Sequence, residues 1–575
     1  MSFVRNAFLV AAVVSAANAL PNPKRSESSD LQWGPCPARM NFTSAYSYDC
    51  ATLTVPLDYS NSTDGRTLDL QLLRVNATNQ PSKGAILMNP GGPGGVGTQF
   101  VAGTAAEVQT ILDGEYDLIG FDPRGTGNII PYACNDTSSS GSKKTKRQEF
   151  DIPEPTFPED YDLLELDIDD MSMAQLVGVL QNELSDLQVV AETCAADNEE
   201  YGEYIGTAFV ARDMLRIVDA LGQGSLLNYW GISYGTVLGG TFAAMFPNRT
   251  GFMLLESNVN LHEYMSGAGI QARATLDANV DALFEQCMVY PEECALADDH
   301  QTVESLAQNY ENLVAALDQQ GIPMNDTDDE IDGGTVRNYM LSNLYNPSEW
   351  PEVAVALKVL YDGEWETFYN MSRPPKEGSY NKGTEALLGI RCGDSRLRSD
   401  NVTDLEGLIE IQLNVSRWFP LQPTLEGMTC VAWQQEAKER YNGDFQVKTQ
   451  TPILVLNNAY DNITPLISAR NTSSGFAESV LLVQNSYGHV PEYTPSLCTA
   501  QAIRNYFGNG TMPSNGTVCE QEVPNFLPQN WTEIYQDLNK TGSSDLTKRA
   551  YSKREVDLLH AVRSLGEKLH QFDRL

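Results

Sequence analysis

The sequence predicts an α/β fold with a mostly parallel central sheet and helices on both faces. From Gly84 to Val259, short apolar segments of strand length alternate with segments of helical pattern. A G-x-S-x-G sequence stands between one apolar strand, 226–230, and a helix of small and apolar residues, 236–246. Two more apolar strands, 451–458 and 479–483, come much later, which indicates a core assembled from two separated segments.

The first candidate catalytic residue is Ser233, in Gly231-Ile232-Ser233-Tyr234-Gly235. The two glycines let the chain turn sharply, so that the serine Oγ stands exposed above the sheet. The N-terminus of the following helix favours developing negative charge there. A lone G-x-S-x-G is more often an ordinary turn, but the flanking strand and helix favour a nucleophile elbow.

Two partners for this serine follow the late strands. Asp461 comes after strand 451–458, and His489 comes after strand 479–483. The chain order Ser, Asp, His is that of the α/β-hydrolase fold and differs from the orders in chymotrypsin and subtilisin. The chain has five histidines, and the other four are interpreted as surface or core residues. We therefore expect His489 to be the general base and Asp461 to orient it.

A glycine-rich loop supplies a candidate oxyanion hole. The apolar strand 83–89 is followed by Pro90-Gly91-Gly92-Pro93-Gly94-Gly95-Val96-Gly97. Such a loop could be a plain turn, and a phosphate loop is excluded because no Gly-Lys-Ser/Thr ending follows. Without Cβ atoms the backbone can approach a substrate closely. We expect the N–H of Gly92 to act together with that of Tyr234.

These segments, together with 116–127, resemble the secreted tripeptidyl aminopeptidase and prolyl aminopeptidase group of α/β-hydrolases. The resemblance runs from roughly Leu53 to Phe507, and the late half looks like the C-terminal domain of the tripeptidyl type. It implies a large helical cap inserted after the sixth strand. Two departures lie near the expected pocket: Pro90 replaces a histidine or polar residue, and Glu256-Ser257-Asn258 replaces Asp-Gly.

The chain is expected to divide into six parts. They are a signal peptide (1–19), a leader that could be a propeptide (20–25), the first part of the hydrolase core (26–259), a helical cap (260–445), the second, tripeptidyl aminopeptidase-like part of the core (446–520) and a polar tail (521–575). Lys24-Arg25 fits a processing site and a basic surface turn equally well.

The N-terminus predicts a secreted protein. Met1–Arg5 is positive, Phe8–Ala17 is apolar, and Ala17-Asn18-Ala19 resembles a signal-peptidase site. Fifteen Asn-x-Ser/Thr sequences agree with passage through a glycosylating pathway. Asn462, beside Asp461, is one of them and is expected to stay unmodified.

Ten cysteines in an oxidising compartment predict a disulfide framework. Proximity in the sequence suggests the pairs Cys36–Cys50, Cys134–Cys194, Cys287–Cys294, Cys392–Cys430 and Cys498–Cys519. No Cys-x-x-Cys spacing is present, so neither a metal nor another cofactor is expected. A net charge of −38 argues against nucleic acids and anionic membranes as partners.

The functional hypothesis is a secreted serine exopeptidase that acts on peptide N-termini through an acyl-enzyme. An esterase or lipase with the same triad is the alternative, because the fold does not fix the substrate. A silent binding module is a third. An aminopeptidase must hold a positive α-amino group, and Glu256 and Asp394 are candidates for that contact. For either residue alone, a solvent-facing carboxylate is the more ordinary explanation.

Overall fold

The structure is a computed structural model that describes residues 31–134, 171–324, 329–373, 383–527, 530–543 and 549–573. The predicted signal peptide, the Lys24-Arg25 pair and the Ser/Gly/Lys-rich loop at 135–150 lie outside these ranges. No helix among the described residues is long and apolar enough to cross a bilayer.

A nine-stranded mixed sheet lies at the centre. Its strands are β1 (Tyr48–Pro56), β2 (Thr67–Val75), β3 (Ala85–Asn89), β4 (Asp117–Phe121), β5 (Leu227–Ile232), β6 (Thr250–Glu256), β9 (Leu454–Tyr460), β10 (Val480–Tyr487) and β11 (Val518–Glu520), while β7 (Ile322–Pro323) and β8 (Glu330–Ile331) form a separate pair. The order across the sheet is β1-β2-β4-β3-β5-β6-β9-β10-β11. β1 and β2 pair antiparallel, as do β2 and β4, and all the other neighbours are parallel.

Alternate residues of the inner strands pack into two cores, one on each face of the sheet. Ile86 and Met88 of β3 belong to one hydrophobic cluster and Leu87 to the other. Because both faces are covered, the five residues of β3 are all buried, and the first four of them are apolar. This is the arrangement predicted for the mostly parallel part of the sheet.

Helices cover both faces and form the long insertion between β6 and β9. The helices outside the insertion are α1 (Gly97–Ile111), α2 (Met173–Asp197), α3 (Thr207–Leu221), α4 (Tyr234–Met245), α14 (Leu466–Gly475), α15 (Leu497–Asn509), α16 (Trp531–Thr541) and α17 (Lys553–Asp573). Those within it are α5 (Leu261–Ser266), α6 (Leu276–Val289), α7 (Val303–Gln319), α8 (Gly333–Asn343), α9 (Trp350–Tyr361), α10 (Trp365–Ser372), α11 (Gly383–Asp394), α12 (Glu406–Gln412) and α13 (Gln422–Val431).

Much of the insertion folds around a core of its own. One face of α6 is apolar at helical spacing, at Leu276, Val280, Leu283 and Cys287. These residues belong to a hydrophobic cluster separate from the two that cover the faces of the sheet. α7 begins at a capping box in which Thr302 and Ser305 bond each other's backbone N–H. The insertion is thus helical, as the resemblance implies.

A buried ion pair holds the loop after β4 to α3. Arg124 Nε lies 2.6 Å from Asp213 Oδ2, and both side chains are almost fully shielded from solvent. The Arg124 guanidinium also donates to the carbonyls of Pro56 and Leu57, and Tyr59 donates to Asp213. Arg124 and Asp213 are therefore structural, since each has its partners inside the protein.

The segment predicted to be a polar tail contains two packed helices. Val556, Leu559, Val562 and Leu565 of α17 are buried and join the cluster that contains α1. Lys568 of α17 lies 2.8 Å from Glu107 of α1. A narrow apolar stripe on α17 covers one face of the core, although the composition of the segment is polar and predicts a tail.

The five predicted cysteine pairs are those that the structure brings to disulfide distance. They are Cys36–Cys50, Cys134–Cys194, Cys287–Cys294, Cys392–Cys430 and Cys498–Cys519. Each pair joins two successive cysteines of the chain, which is the pairing that proximity in the sequence suggests.

Candidate active site

Ser233 lies in the sharp turn between β5 and α4. Its backbone has φ 55° and ψ −122°, a conformation that is rare for a residue with a side chain. A Cβ at Gly231 would lie 2.4 Å from the carbonyl oxygen of Gly235, and a Cβ at Gly235 would lie 2.8 Å from that of Asn89. Both positions therefore require glycine. Ser233 is half-buried and its neighbours in the turn are buried, so Ser233 is the residue of the turn that solvent can reach.

The glycine-rich loop after β3 lies directly against this turn. A Cβ at Gly91 would be 3.0 Å from the Cβ of Ser233 and 3.1 Å from the backbone nitrogen of Tyr234. Asn89 fixes the start of the loop by accepting a hydrogen bond from the Gly91 N–H at 3.0 Å. Gly92 is exposed next to the buried Gly91. The loop therefore brings its backbone beside the N-terminus of α4, where an oxyanion hole is expected.

Asp461 and His489 form a buried pair at the ends of β9 and β10. His489 Nδ1 lies 3.1 Å from Asp461 Oδ1 and 3.3 Å from Oδ2, and the two side chains are 2% and 0% exposed. The backbone N–H groups of Ile463 and Thr464 donate to Oδ1, and the Thr464 hydroxyl donates to Oδ2 at 2.8 Å. An ionised Asp461 held in this way favours the His489 tautomer with its proton on Nδ1, which leaves Nε2 as the basic nitrogen.

The dipeptide Glu256-Ser257 connects the serine turn with the histidine loop. The Ser233 N–H donates to the Glu256 carbonyl at 2.9 Å, and the Ser257 hydroxyl donates to the His489 carbonyl at 2.6 Å. The parallel register aligns Ile232 with Glu256 and Glu256 with Leu456, so these strands end at a common edge. Ser233, Asp461 and His489 thus lie on loops at the carboxyl edge of the sheet, where α/β folds bind ligands.

The helical insertion holds the loops that carry the acid and the histidine. The Tyr345 carbonyl accepts a hydrogen bond from the backbone N–H of His489 at 2.9 Å. The Tyr345 ring packs edge-on against the imidazole, with the two ring centroids 5.5 Å apart. Gly488 has φ 82°, and a Cβ there would lie 2.6 Å from the Tyr345 carbonyl oxygen. Thr275 donates to the Asp461 carbonyl, and Asn279 donates to that of Tyr460. The insertion therefore packs over this edge of the sheet.

The two carboxylates predicted to bind substrate are both buried and already have protein donors. The Trp230 indole N–H donates to Glu256 at 2.7 Å. Asp394 accepts the backbone N–H and the hydroxyl of Thr207, and Tyr264 donates to it at 3.3 Å. Burial raises the pKa of Asp394 to about 6, which weakens its charge in mild acid. A direct contact with substrate stays a prediction for both.

Sequence reasoning missed an ion pair in the insertion that lies beside the histidine. Arg273 donates to Glu426 Oε1 from Nε at 3.1 Å and from Nη2 at 2.7 Å, and Gln422 donates to the same oxygen at 3.0 Å. Burial opposes the charge of Arg273, but Glu426 and Tyr345 outweigh it and raise the pKa of Arg273, and the ring of Tyr345 contacts His489. Nothing in the sequence singles out these residues, because Glu426 lies 153 positions from Arg273 and only the packing of the insertion joins them.

Glu426 keeps its negative charge in this environment. Burial works against the ionised form, but the nearby guanidinium groups of Arg273 and Arg391 outweigh it and lower the pKa of Glu426. The side chain is 18% exposed, so it is not sealed from solvent. An ionised carboxylate therefore stands two side chains away from His489.

Asn462, the glycosylation sequon next to Asp461, is fully buried. Its threonine, Thr464, donates to Asp461 and lies 3.3 Å from His489 Nδ1. In the described part of the chain, no group of three or more His, Cys, Asp or Glu side chains has a metal-binding arrangement.

Family comparison agrees with this geometry. The family described as alpha/beta hydrolase fold matches residues 84–292, which include β3, the glycine-rich loop, β5 and Ser233. This protein has the α/β-hydrolase fold. A second family, described as TAP-like protein, matches residues 422–519, which contain Glu426, Asp461 and His489. The hydrolase thus combines the fold with a TAP-like C-terminal part, as the resemblance in its sequence predicts.

Two relatives are similar along most of the hydrolase. The serine protease Hip1 of Mycobacterium tuberculosis is 25% identical over 495 residues, which cover 82% of this chain and 87% of that protein. The tripeptidyl aminopeptidase of Streptomyces lividans is 25% identical over 525 residues, which cover 86% and 87%. Carboxylesterase B of M. tuberculosis is 45% identical, but only over 83 residues, 14% of this chain and 16% of that protein.

Proposed function

We propose that this hydrolase is a secreted serine exopeptidase that releases short peptides or residues from peptide N-termini. The observation that carries the proposal is the buried Asp461–His489 pair at the same sheet edge as the Ser233 turn. The two relatives similar over most of the chain bear the names serine protease and tripeptidyl aminopeptidase. Secretion rests on the N-terminal signal pattern and the five disulfides.

In the proposed mechanism, Ser233 Oγ attacks the carbonyl carbon of the scissile bond while His489 Nε2 takes its proton. Asp461 accepts a hydrogen bond from His489 Nδ1, which keeps the proton on that nitrogen, and its negative charge stabilises the imidazolium that forms. The N–H groups of Gly92 and Tyr234 hold the negative oxygen of the tetrahedral intermediate. The imidazolium then gives its proton to the leaving amine, and a water molecule, activated by the same histidine, hydrolyses the acyl-enzyme.

The substrate's positive α-amino group needs an anion in the pocket, and Glu426 is the best-suited carboxylate. Its pKa is lowered, with Arg273 and Arg391 outweighing burial, whereas burial raises the pKa of both Asp394 and Glu256. The three protein donors that it accepts all bind Oε1, which leaves Oε2 for an ammonium group. Arg273 and Tyr345 connect it to His489, so a bound N-terminus would lie close to the reacting bond.

The alternative function is carboxylic ester hydrolysis, which the same three residues can perform. One observation favours it, the 45% identity to carboxylesterase B, but that similarity is confined to 14% of the chain. A non-catalytic binding module is a weaker candidate, because a serine in a strained turn and a buried acid–histidine pair have no use in simple binding.

Matched substrates decide between these functions. A panel of peptides with free and N-acetylated amino termini, and a series of simple esters, would be offered to the purified protein. We expect acetylation of a good peptide to reduce kcat/KM by about 10-fold or more, because it removes a charge-assisted hydrogen bond. Equal cleavage of free and acetylated peptides would contradict the exopeptidase proposal, and turnover of esters alone would favour the esterase.

A further inference from the structure

A row of hydrogen bonds joins the helical insertion to the turn that carries Ser233. The Tyr234 hydroxyl lies 2.6 Å from Thr207 Oγ1, and the Thr207 hydroxyl donates to Asp394 Oδ2 at 2.5 Å. Tyr234 is the first residue of α4, Thr207 is the first residue of α3, and Asp394 is the last residue of α11. All three side chains are buried, so three segments far apart in the sequence meet at one polar contact inside the protein.

The number of available protons fixes the direction of these bonds. Burial raises the pKa of Asp394 to about 6, so at neutral pH this group is a carboxylate and can only accept hydrogen bonds. Thr207 has one hydroxyl proton and gives it to Asp394, which means that Thr207 Oγ1 must accept from the Tyr234 hydroxyl. The result is a relay from Tyr234 through Thr207 to Asp394, whose last bond is to a charged group and is therefore strong.

Asp394 is a fixed anchor for this relay. Its Oδ1 accepts the backbone N–H of Thr207 at 3.1 Å, and Tyr264 of α5 donates to its Oδ2 at 3.3 Å. The disulfide between Cys392 and Cys430 ties the end of α11 to α13. Both carboxylate oxygens are thus used inside the protein, which favours an anchoring role for Asp394 over direct contact with a substrate amine.

Tyr234 is also the residue whose backbone N–H is proposed to hold the negative oxygen of the tetrahedral intermediate. Ser233, the N-cap of α4, makes no side-chain hydrogen bond to the first turn of the helix. No cap side chain therefore competes with a substrate oxygen for the N–H groups of this turn. Two tyrosine hydroxyls hold the turn in place: Tyr229 donates to the Gly235 carbonyl at 2.8 Å, and Tyr234 itself is bound to Thr207.

We propose that Thr207 and Asp394 are positioning residues that hold the Tyr234 N–H where it can bind the oxyanion. Neither residue touches the reacting atoms, and both act through the side chain of Tyr234. An oxyanion donor stabilises the transition state only when it is aimed at the place where charge develops, so a small displacement lowers kcat and leaves substrate binding almost unchanged. This inference rests on the proposed roles of Ser233 and Tyr234.

The hydroxyl of Thr207 can be removed with little change in the shape of the side chain. Thr207→Val deletes the relay but keeps the backbone N–H that Asp394 accepts, whereas Thr207→Ser keeps a hydroxyl. We expect Thr207→Val to lower kcat by about 10-fold with KM nearly unchanged, because loss of the whole donor would cost about 100- to 1000-fold. Thr207→Ser should retain most of the wild-type kcat. The matched control is Thr241→Val in α4, where a buried hydroxyl without a partner in the described chain is removed and kcat should not change.

A tetrahedral analogue gives a readout that a merely structural role would not move. A peptide trifluoromethyl ketone adds to the proposed nucleophile and places a negative oxygen in the oxyanion hole. We expect its Ki to rise about 10-fold in Thr207→Val, in step with the fall in kcat/KM. Tyr234→Phe breaks the same bond from the other side, so it should show the same losses, and the double variant Tyr234→Phe/Thr207→Val should be no worse than either single one.

Unchanged kcat and Ki in Thr207→Val would overturn the inference, and if that variant does not fold, the same result in Tyr234→Phe would do so. An equal loss in Thr207→Ser would also overturn it. So would a rise in KM confined to peptides with a free amino terminus, since that result would place Asp394 at the substrate amine.

Fluorophosphonate labelling of the wild-type protein tests the proposed function separately. A wild-type protein that is not labelled refutes Ser233 as the nucleophile. Normal labelling of the wild type, together with normal turnover in Thr207→Val and Tyr234→Phe, refutes only the relay. The same comparison holds on an ester substrate, because the oxyanion forms at the carbonyl of either substrate.

Discussion

At Ser233, the strained backbone and the two flanking glycines serve one purpose, which is to expose an oxygen at the end of a buried strand. A cost on the order of 1–3 kcal/mol is typical of such a conformation, and the surrounding core must offset it. The Ser233 N–H bond to Glu256 and the contact with Gly91 fix the turn from two sides. The side chain is thus held in one place before any substrate binds.

Replacing the proposed nucleophile or base should nearly abolish activity. We expect Ser233→Ala and His489→Ala each to lower kcat by about 10⁴–10⁶-fold. The double variant should be little worse than either one, because the residues act as a unit. Steady-state kinetics on one peptide, with folding checked by circular dichroism, measures this. Near-normal turnover in Ser233→Ala would refute the assignment.

Removing the charge of Glu426 should affect substrates according to their amino terminus. We expect Glu426→Gln to lower kcat/KM for a peptide with a free amino terminus by about 10–100-fold, the loss of one charged hydrogen bond. The same peptide with an acetylated terminus should change by less than about 3-fold. The matched control is Glu410→Gln, an exposed carboxylate of the insertion, which should leave both rates unchanged. Equal losses for free and acetylated peptides would show that Glu426 is structural.

Among the elements, α17 links parts of the chain that are far apart in sequence. It packs on α1 through Val556, Leu559 and Leu565, and it contacts the loop after His489 through Arg563 and Gly566. A helix at the end of the chain thus stabilises both the core and the loop that carries the proposed base.

A truncated core side chain in α17 should destabilise the whole protein. We expect Leu565→Ala, at a fully buried position, to lower the free energy of unfolding by about 2–5 kcal/mol. Asp557→Ala, on the exposed face of the same helix, should change it by less than about 0.5 kcal/mol. Urea denaturation of the two variants beside the wild type provides the measurement. Similar small effects at both positions would mean that α17 is not packed as described.

In the molecule as a whole, several acids are buried in a chain of net charge −38. Burial raises the pKa of Asp122 to about 6 and likewise that of Asp394 to about 6, from an ordinary value of 3.8. Between the unfolded-state pKa of 3.8 and the folded-state pKa of about 6, the folded protein binds more protons than the unfolded chain. The free energy of unfolding therefore falls as the pH rises through this range. The destabilisation is absent below about pH 4 and complete above about pH 6, and it amounts to roughly 3 kcal/mol for each group.

The variant Asp394→Asn should therefore gain stability relative to the wild type as the pH rises from 4 to 7. The amide can still accept from Thr207 and Tyr264, but it has no proton to lose. Chemical denaturation of both proteins at several pH values would give the difference in free energy of unfolding. A difference that does not change with pH would contradict the raised pKa. Asp58→Asn, at a buried acid that accepts hydrogen bonds from Ser60 of its own turn, is a suitable comparison.

The sequence by itself determined the fold class, the disulfide pairs and the positions of Ser233, Asp461 and His489 relative to their strands. These features depend on local signals: apolar runs of strand length, glycines that a tight turn requires, and cysteines close in the chain. In parallel sheets, residues after different strands meet at one edge. The order of a few motifs therefore implies their proximity.

Only the tertiary structure decided which polar residues surround those motifs. Arg273 is joined to Glu426, and α17 to the histidine loop, across long sequence separations, and no periodicity or spacing predicts such pairs. Whether a carboxylate is a solvated surface group or a buried ion-pair partner depends on its burial and its neighbours. The packing of the insertion and of the C-terminal helix fixed these environments, and with them the charge that each group carries.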